Sequence, residues 1–161
     1  MDVDGVLTDG TVWLSEGGHE SKRVSFADIM GVSLGRRAGL IFALISGEGG
    51  PALDRIAGKF GIDEVYPGCK DKAAALDDFA CRHGFSPEQI CFIGDDVNDL
   101  AAFELCGLAI APADAHPRAR AKAALVTKNA GGDGAVREAI DGLLAGDVAG
   151  GVPVRSEGAS S

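Results

Sequence analysis

The chain has 161 residues, 46 % hydrophobic and 24 % charged, with a formal net charge of −9, enough for one domain with a real core but not for two of full size. That acidic balance excludes nucleic-acid and anionic-membrane surfaces, which need clustered Lys and Arg, and no apolar run reaches the ~18 residues of a membrane span or marks a signal peptide. A small anionic substrate would need local basic residues and a metal.

The first ten residues, MDVDGVLTDG, place two carboxylates, Asp2 and Asp4, two positions apart on an apolar lead-in. In a strand over residues 1–3 they would share one side, and Gly5 would let the backbone turn at the strand end. The spacing suits a nucleophile paired with a general acid, provided that a metal offsets their repulsion. It also suits a solvated acidic terminus. Residues 11–26 read as a β-hairpin, with Val12, Trp13 and Leu14 in one arm, a Gly17-Gly18 turn, and residues 22–26 in the other.

Beyond the hairpin, β-branched apolar runs alternate with helical patterns, which predicts an α/β domain with a mainly parallel sheet. Strands are expected over 40–45, 64–66, 90–93, 108–110 and 124–126, and helices over 29–38, 51–60, 71–83, 97–105, 117–122 and 134–144. Residues 1–146 form the domain. Residues 147–161, rich in Gly, Ala, Ser and Pro, read as a flexible tail. Cys69, Cys81, Cys91 and Cys106 form no CxxC pair, so reduced thiols and a cytoplasmic protein are expected. His19, His83 and His116 are too scattered for a zinc site.

The second acidic cluster, GDDVND at 94–99, follows the apolar CFI strand and opens a helix, where open parallel sheets bind ligands. Asp95 can therefore converge with Asp2 and Asp4 on a hard cation, most simply Mg2+. Asp96 and Asn98 also suit helix capping. After the strand at 40–45, the Ser46-Gly47 hydroxyl and amide could hold a phosphate oxygen or merely form a turn. Lys72, in CKDK, could neutralise the phosphate and the nucleophile or be a solvated surface group.

Taken together, DVDGVLTDG at Asp2, Ser46, Lys72 and GDDVND at Asp95 resemble the haloacid dehalogenase superfamily of phosphotransferases. The hairpin in place of a cap, ADAHP at 113–117 and GGDGAVRE at 131–138 resemble its capless branch of 3-deoxy-D-manno-octulosonate 8-phosphate phosphatases and related nonulosonate 9-phosphate phosphatases. The resemblance implies a three-layer Rossmann-like sheet with a hairpin flap, and a magnesium-dependent phosphatase acting on a sugar acid phosphate. It implies that Asp2 is the nucleophile and Asp4 the general acid and base. Mg2+ would sit on Asp2, the Asp4 main-chain carbonyl and Asp95, with Ser46, Gly47 and Lys72 on the phosphoryl group and Asp99 orienting Lys72 or a metal-bound water.

The family closes its open site by assembling as a homotetramer, for which Val12, Trp13 and Leu14 suit an interface or packing on their own domain. The 131–134 glycines suit a flexible substrate-side loop. Arg137 suits either a substrate carboxylate or an ion pair on its own helix, and His116 a structural turn. Three departures stand out. Ser46-Gly47-Glu48 replaces the usual Thr-Gly-Arg, so Glu48 would meet sugar hydroxyls rather than a carboxylate. Ile29-Met30 stands where Arg-Asp-Gly is usual. Only Met1 precedes Asp2, so the reading frame is truncated or the first strand is abnormally short. A second reading is a non-catalytic regulatory domain associated with a nucleotide-sugar synthase.

Overall fold

The computed structural model describes residues 1–146; the tail expected over 147–161 lies outside the described residues. The elements run β1 (Trp13–Leu14), β2 (Glu20–Ser21), α1 (Phe26–Arg37), β3 (Ala43–Ile45), α2 (Pro51–Phe60), β4 (Glu64–Tyr66), α3 (Lys72–His83), β5 (Cys91–Ile93), α4 (Leu100–Leu105), β6 (Leu108–Ala111), α5 (Pro117–Lys122), β7 (Leu125–Val126) and α6 (Ala135–Ala145). β3 pairs with β4 and β6 with both β5 and β7, all parallel. The α/β class and mainly parallel pairing match expectation.

The two half-sheets meet at the N-terminus. The Met1 ammonium donates to the Ala43 carbonyl at 2.9 Å, the Met1 carbonyl accepts from Ile45 N at 2.9 Å, and Asp2 N donates to the Ile93 carbonyl at 2.9 Å. Met1 and Asp2 thus bridge β3 and β5 by these hydrogen bonds. The strand expected over 1–3 is not formed, because at Val3 the chain wraps into a turn, the Val3 carbonyl accepting from Val6, Leu7 and Thr8 N. Burial pulls the Met1 ammonium down to about 6. Beside it, an apolar cavity of about 110 Å³ opens between β3 and β5, with Phe42, Phe79 and Cys91 among its walls.

Strand alternation sorts the core into two layers. Leu44, Ile93 and Ile110 face a cluster with Val32 of α1, Ile56 of α2 and Ile140 of α6. Ala43, Ile45, Phe92 and Ala109 face Leu76 and Phe79 of α3, Phe103 of α4 and Ala119 of α5. A sheet buried on both faces by helices is the three-layer arrangement that period-2 apolar runs dictate.

Capping explains where boundaries moved. Ser25 Oγ accepts from Ala27 N at 3.1 Å, so α1 begins at Phe26 rather than residue 29 and takes the end of the second hairpin arm expected over 22–26. That arm is instead Glu20–Ser21, paired Trp13 to Ser21 and Leu14 to Glu20. The helix expected over 97–105 divides into a 3₁₀ turn at Val97–Asp99 and α4, because Asp96 Oδ1 accepts from Val97 N at 2.7 Å and the Asp99 carboxylate folds back on the Asp95 and Asp96 amides. α2 and α3 end at Gly61 and Gly84, both left-handed (φ 66° and 68°), as helix C-termini favour.

Candidate active site

Asp2, Ser46, Lys72 and Asp99 are almost wholly buried at the carboxyl ends of the central strands. Lys72 opens α3, and its Nζ lies 2.6 Å from Asp2 Oδ2 and 2.6 Å from Asp99 Oδ1. Burial alone would lower the Lys72 ammonium, but the two carboxylates outweigh it and the net shift is upward. The lysine is held charged. Asp2 Oδ1 accepts from its neighbour Val3 N at 2.7 Å, and burial with repulsion from Asp99 pushes the Asp2 carboxyl up despite Lys72.

Asp99 spends both oxygens on its surroundings, Oδ1 on Lys72 and Oδ2 on the Asp95 and Asp96 amides at 2.9 and 3.2 Å. It orients the lysine and shapes the loop. Asp95 differs: among the described residues its carboxylate accepts no hydrogen bond, although it is half-buried against Gly5. A Cβ on Gly5 would sit 2.0 Å from Asp95 Oδ2, which only a glycine at φ 81° avoids. Burial, then Asp2 and Asp99, push the Asp95 carboxyl up to about 7.

Oxygens of Asp2, Asp95 and Asp99 lie within 4.8 Å of one another. Asp4 is not in that group, its carboxylate pairing with Lys22 Nζ at 2.7 and 2.9 Å. Three carboxylates thus share one ammonium, that of Lys72, and the formal deficit of two charges with an all-oxygen donor set suits one hard divalent cation. Because Asp95 has a folded-state value above its ordinary 3.8, its contribution to stability is complete below that value and is lost as pH rises through about 7. The metal-free protein should therefore melt progressively lower from about pH 4 to about pH 7, and magnesium should flatten that slope. Asp95→Asn should make it shallower, leaving the parts due to Asp2 and Asp28, whose carboxyls are also pushed up by burial; a slope unchanged in that variant would refute the cause.

Ser46 ends β3. Its Oγ accepts from Glu48 N at 3.1 Å and its carbonyl from Cys69 N at 2.8 Å, which fixes the turn. Gly47 is half-buried, and its carbonyl accepts from Lys70 Nζ at 3.3 Å; Glu48 is exposed. Arg137 joins no acidic group of the cluster: its Nε bonds both oxygens of Asp141 one turn on, at 2.9 and 2.7 Å. His116 Nδ1 accepts from Arg118 N at 3.1 Å, and its own amide donates to the Asp95 carbonyl at 2.8 Å. It is a turn residue that braces the Asp95 loop.

The 131–134 glycines are not the mobile substrate-side loop expected. Gly131, Gly132 and Gly134 are buried, the first two against the turn at residues 3–9, with Gly132 N donating to the Val6 carbonyl at 2.9 Å. Asp28 of α1, fully buried, accepts from Gly134 and Arg137 N at 3.1 and 2.8 Å and pins the start of α6. A Cβ on Gly131 would meet the Gly5 carbonyl oxygen at 1.9 Å. Gly131→Ala should cost about 1–3 kcal/mol in denaturant titration and lower activity, since only backbone can yield there. Sequence reading missed Lys22, Thr8 and Asp28; the Lys22 signal was its place in the hairpin, beside the expected active-site turn.

The model of haloacid dehalogenase-like hydrolases matches residues 47–140. The chain is 36 % identical over 144 residues to the 3-deoxy-D-manno-octulosonate 8-phosphate phosphatase KdsC of Escherichia coli K12, covering 89 % of this chain and 77 % of that protein. It superposes with a TM-score of 0.87 and 34 % identity on the phosphatase of that name from Moraxella catarrhalis, solved with a magnesium ion, a phosphate ion and a KDO molecule, covering 90 % of this chain and 83 % of that one. It superposes with a TM-score of 0.86 and 36 % identity on the cobalt-bound phosphatase from Haemophilus influenzae, covering 89 % and 84 %.

Proposed function

Because this chain belongs to the haloacid dehalogenase-like hydrolase family, we propose that it is a magnesium-dependent phosphatase of a 2-keto-3-deoxy sugar acid phosphate, 3-deoxy-D-manno-octulosonate 8-phosphate or a close relative. The observation that carries this reading is Lys72 Nζ set 2.6 Å from both Asp2 and Asp99, with the Asp95 carboxylate, unpartnered among the described residues, beside them. A regulatory domain would not need to bury so costly a charge cluster.

An Asp2 oxygen attacks phosphorus, forming an O–P bond as the sugar–oxygen bond to phosphorus breaks. Asp4 gives its proton to the departing sugar oxygen, then takes one from the water that splits the aspartyl-phosphate and frees Asp2. Ser46 and the Gly47 amide hold phosphoryl oxygens, and Lys72 stabilises their charge while Asp99 holds it in place. Magnesium, bound by the Asp2 carboxylate, the Asp4 main-chain carbonyl and Asp95, would neutralise the transferring group and draw phosphate to an acidic chain. Glu48 meets sugar hydroxyls at the mouth, and Arg137 serves its own helix through Asp141.

Among the described residues no helix is long and apolar enough to cross a membrane. On the reading of its four free cysteines as reduced thiols, we propose a cytoplasmic enzyme, assembled as a homotetramer. The hairpin supports assembly: Trp13 is 56 % and Leu14 72 % exposed, more apolar surface than a flap needs if it stays solvated. Phosphate release from 3-deoxy-octulosonate and nonulosonate phosphates, beside hexose phosphates, tests the function. We expect kcat/KM for the keto-acid esters to exceed that for hexose esters by at least about 100-fold, and to vanish with chelator. No release from any of them overturns the reading.

A further inference from the structure

Asp4 has two jobs in the reaction proposed above, and both require its carboxyl to point at the sugar oxygen over Asp2. Its own position does not secure this. It lies in the turn after Val3 rather than in a strand, with its side chain 33 % exposed. Within its own turn the only hydrogen bond to it is from Thr8 Oγ1 at 3.3 Å, a long contact between a hydroxyl that also serves the Gly5 and Gly10 amides and one oxygen of the pair.

The close partner comes from eighteen residues away. Lys22 Nζ reaches Asp4 Oδ1 at 2.7 Å and Oδ2 at 2.9 Å, so one ammonium grips both oxygens. A charge-assisted contact at this distance is about twice as strong as a neutral one. Lys22 follows β2, yet its side chain is only 12 % exposed, laid inward against the turn while the hairpin strands stand in solvent. Its neighbour Arg23 faces the other way, to Asp9 at 3.2 Å and Asp133 at 3.9 Å, and anchors the hairpin base independently.

We infer that Lys22 is a positioning residue for the acid and base step: it grips both oxygens of the Asp4 carboxylate that takes the proton from water, and keeps hold of one oxygen when the other carries the proton toward the leaving oxygen. The inference rests on the phosphatase reading. It has the specific consequence that loss of Lys22 harms substrates in proportion to their need for a proton. A sugar alkoxide cannot leave without one; 4-nitrophenolate can. Because Asp4 keeps contact with solvent, removing Lys22 strands no buried charge, so the variant should fold.

The test compares wild type, Lys22→Met, Lys22→Arg and Arg23→Met on 3-deoxy-octulosonate 8-phosphate and on 4-nitrophenyl phosphate. The readouts are kcat, KM and the first-turnover release of nitrophenol. Lys22→Met should lose about 30-fold in kcat on the sugar ester with KM within about threefold, but no more than about threefold in nitrophenol burst rate. Lys22→Arg should recover most of the loss, and Arg23→Met should match wild type. Equal losses on both esters, a loss carried by KM, or the same pattern in Arg23→Met would show that Lys22 merely props the hairpin and would overturn the assignment. Wild type inactive on both esters would instead remove the phosphatase reading itself; an active wild type matched by Lys22→Met removes only this assignment.

Discussion

Asp2→Asn should abolish phosphate release, lowering kcat by at least about 10⁴-fold, while leaving the melting temperature the same or higher. The replacement keeps the shape and, through its amide oxygen, the contact to Val3 N, but has no charged oxygen to attack phosphorus and turns an NH2 group toward Lys72 Nζ. Relief of the burial and of the Asp99 repulsion that push the Asp2 carboxyl up should offset that lost contact. Malachite-green phosphate detection and thermal melting on the same sample check both halves. Equal activity in the variant would sink the mechanism, and a collapse of the melting temperature would mean that Asp2 is structural.

Lys72→Met should fail on both counts. It removes the ammonium that lies between two buried carboxylates, and stranding such charges costs about 3–5 kcal/mol of a total stability of about 5–15. Activity should fall at least about 10³-fold as phosphoryl-charge stabilisation is lost. The stability loss, unlike the activity loss, should be partly reversed by adding Asp99→Asn, since that second change removes one of the stranded charges. Urea titration of the single and double variants checks this. An additive cycle would mean that Lys72 and Asp99 do not act as a pair.

Much of this architecture was legible before the coordinates. β4, α2 and α5 fall where the apolar runs and Pro51 and Pro117 placed them, because short buried strands and proline at a first helical turn are local signals. The convergence of Asp2, Lys72 and Asp95 was legible too, since strand-end acids and lysine in this order carry a family pattern. What could not be read was non-local. Asp28 reaches across to pin the Gly134 and Arg137 amides, a bond between residues over a hundred positions apart. The 131–134 glycines read as permissive for motion, yet Gly131 and Gly132 are small because Gly5 and Thr8 lie against them. The split of the helix at residue 99 depended on a side chain turning back on its own loop, which periodicity does not report.

The seam made by Met1 and Asp2 ties catalytic competence to mechanical integrity. Hydrogen bonds to Ala43, Ile45 and Ile93 both tie the halves of the sheet here and set the height of the Asp2 carboxylate. Breathing of the halves is expected to tilt that carboxylate before a helix melts. The Asp2 and Ile45 amides therefore serve as a gauge: their hydrogen-exchange rates should track the onset of thermal inactivation more closely than helical content does.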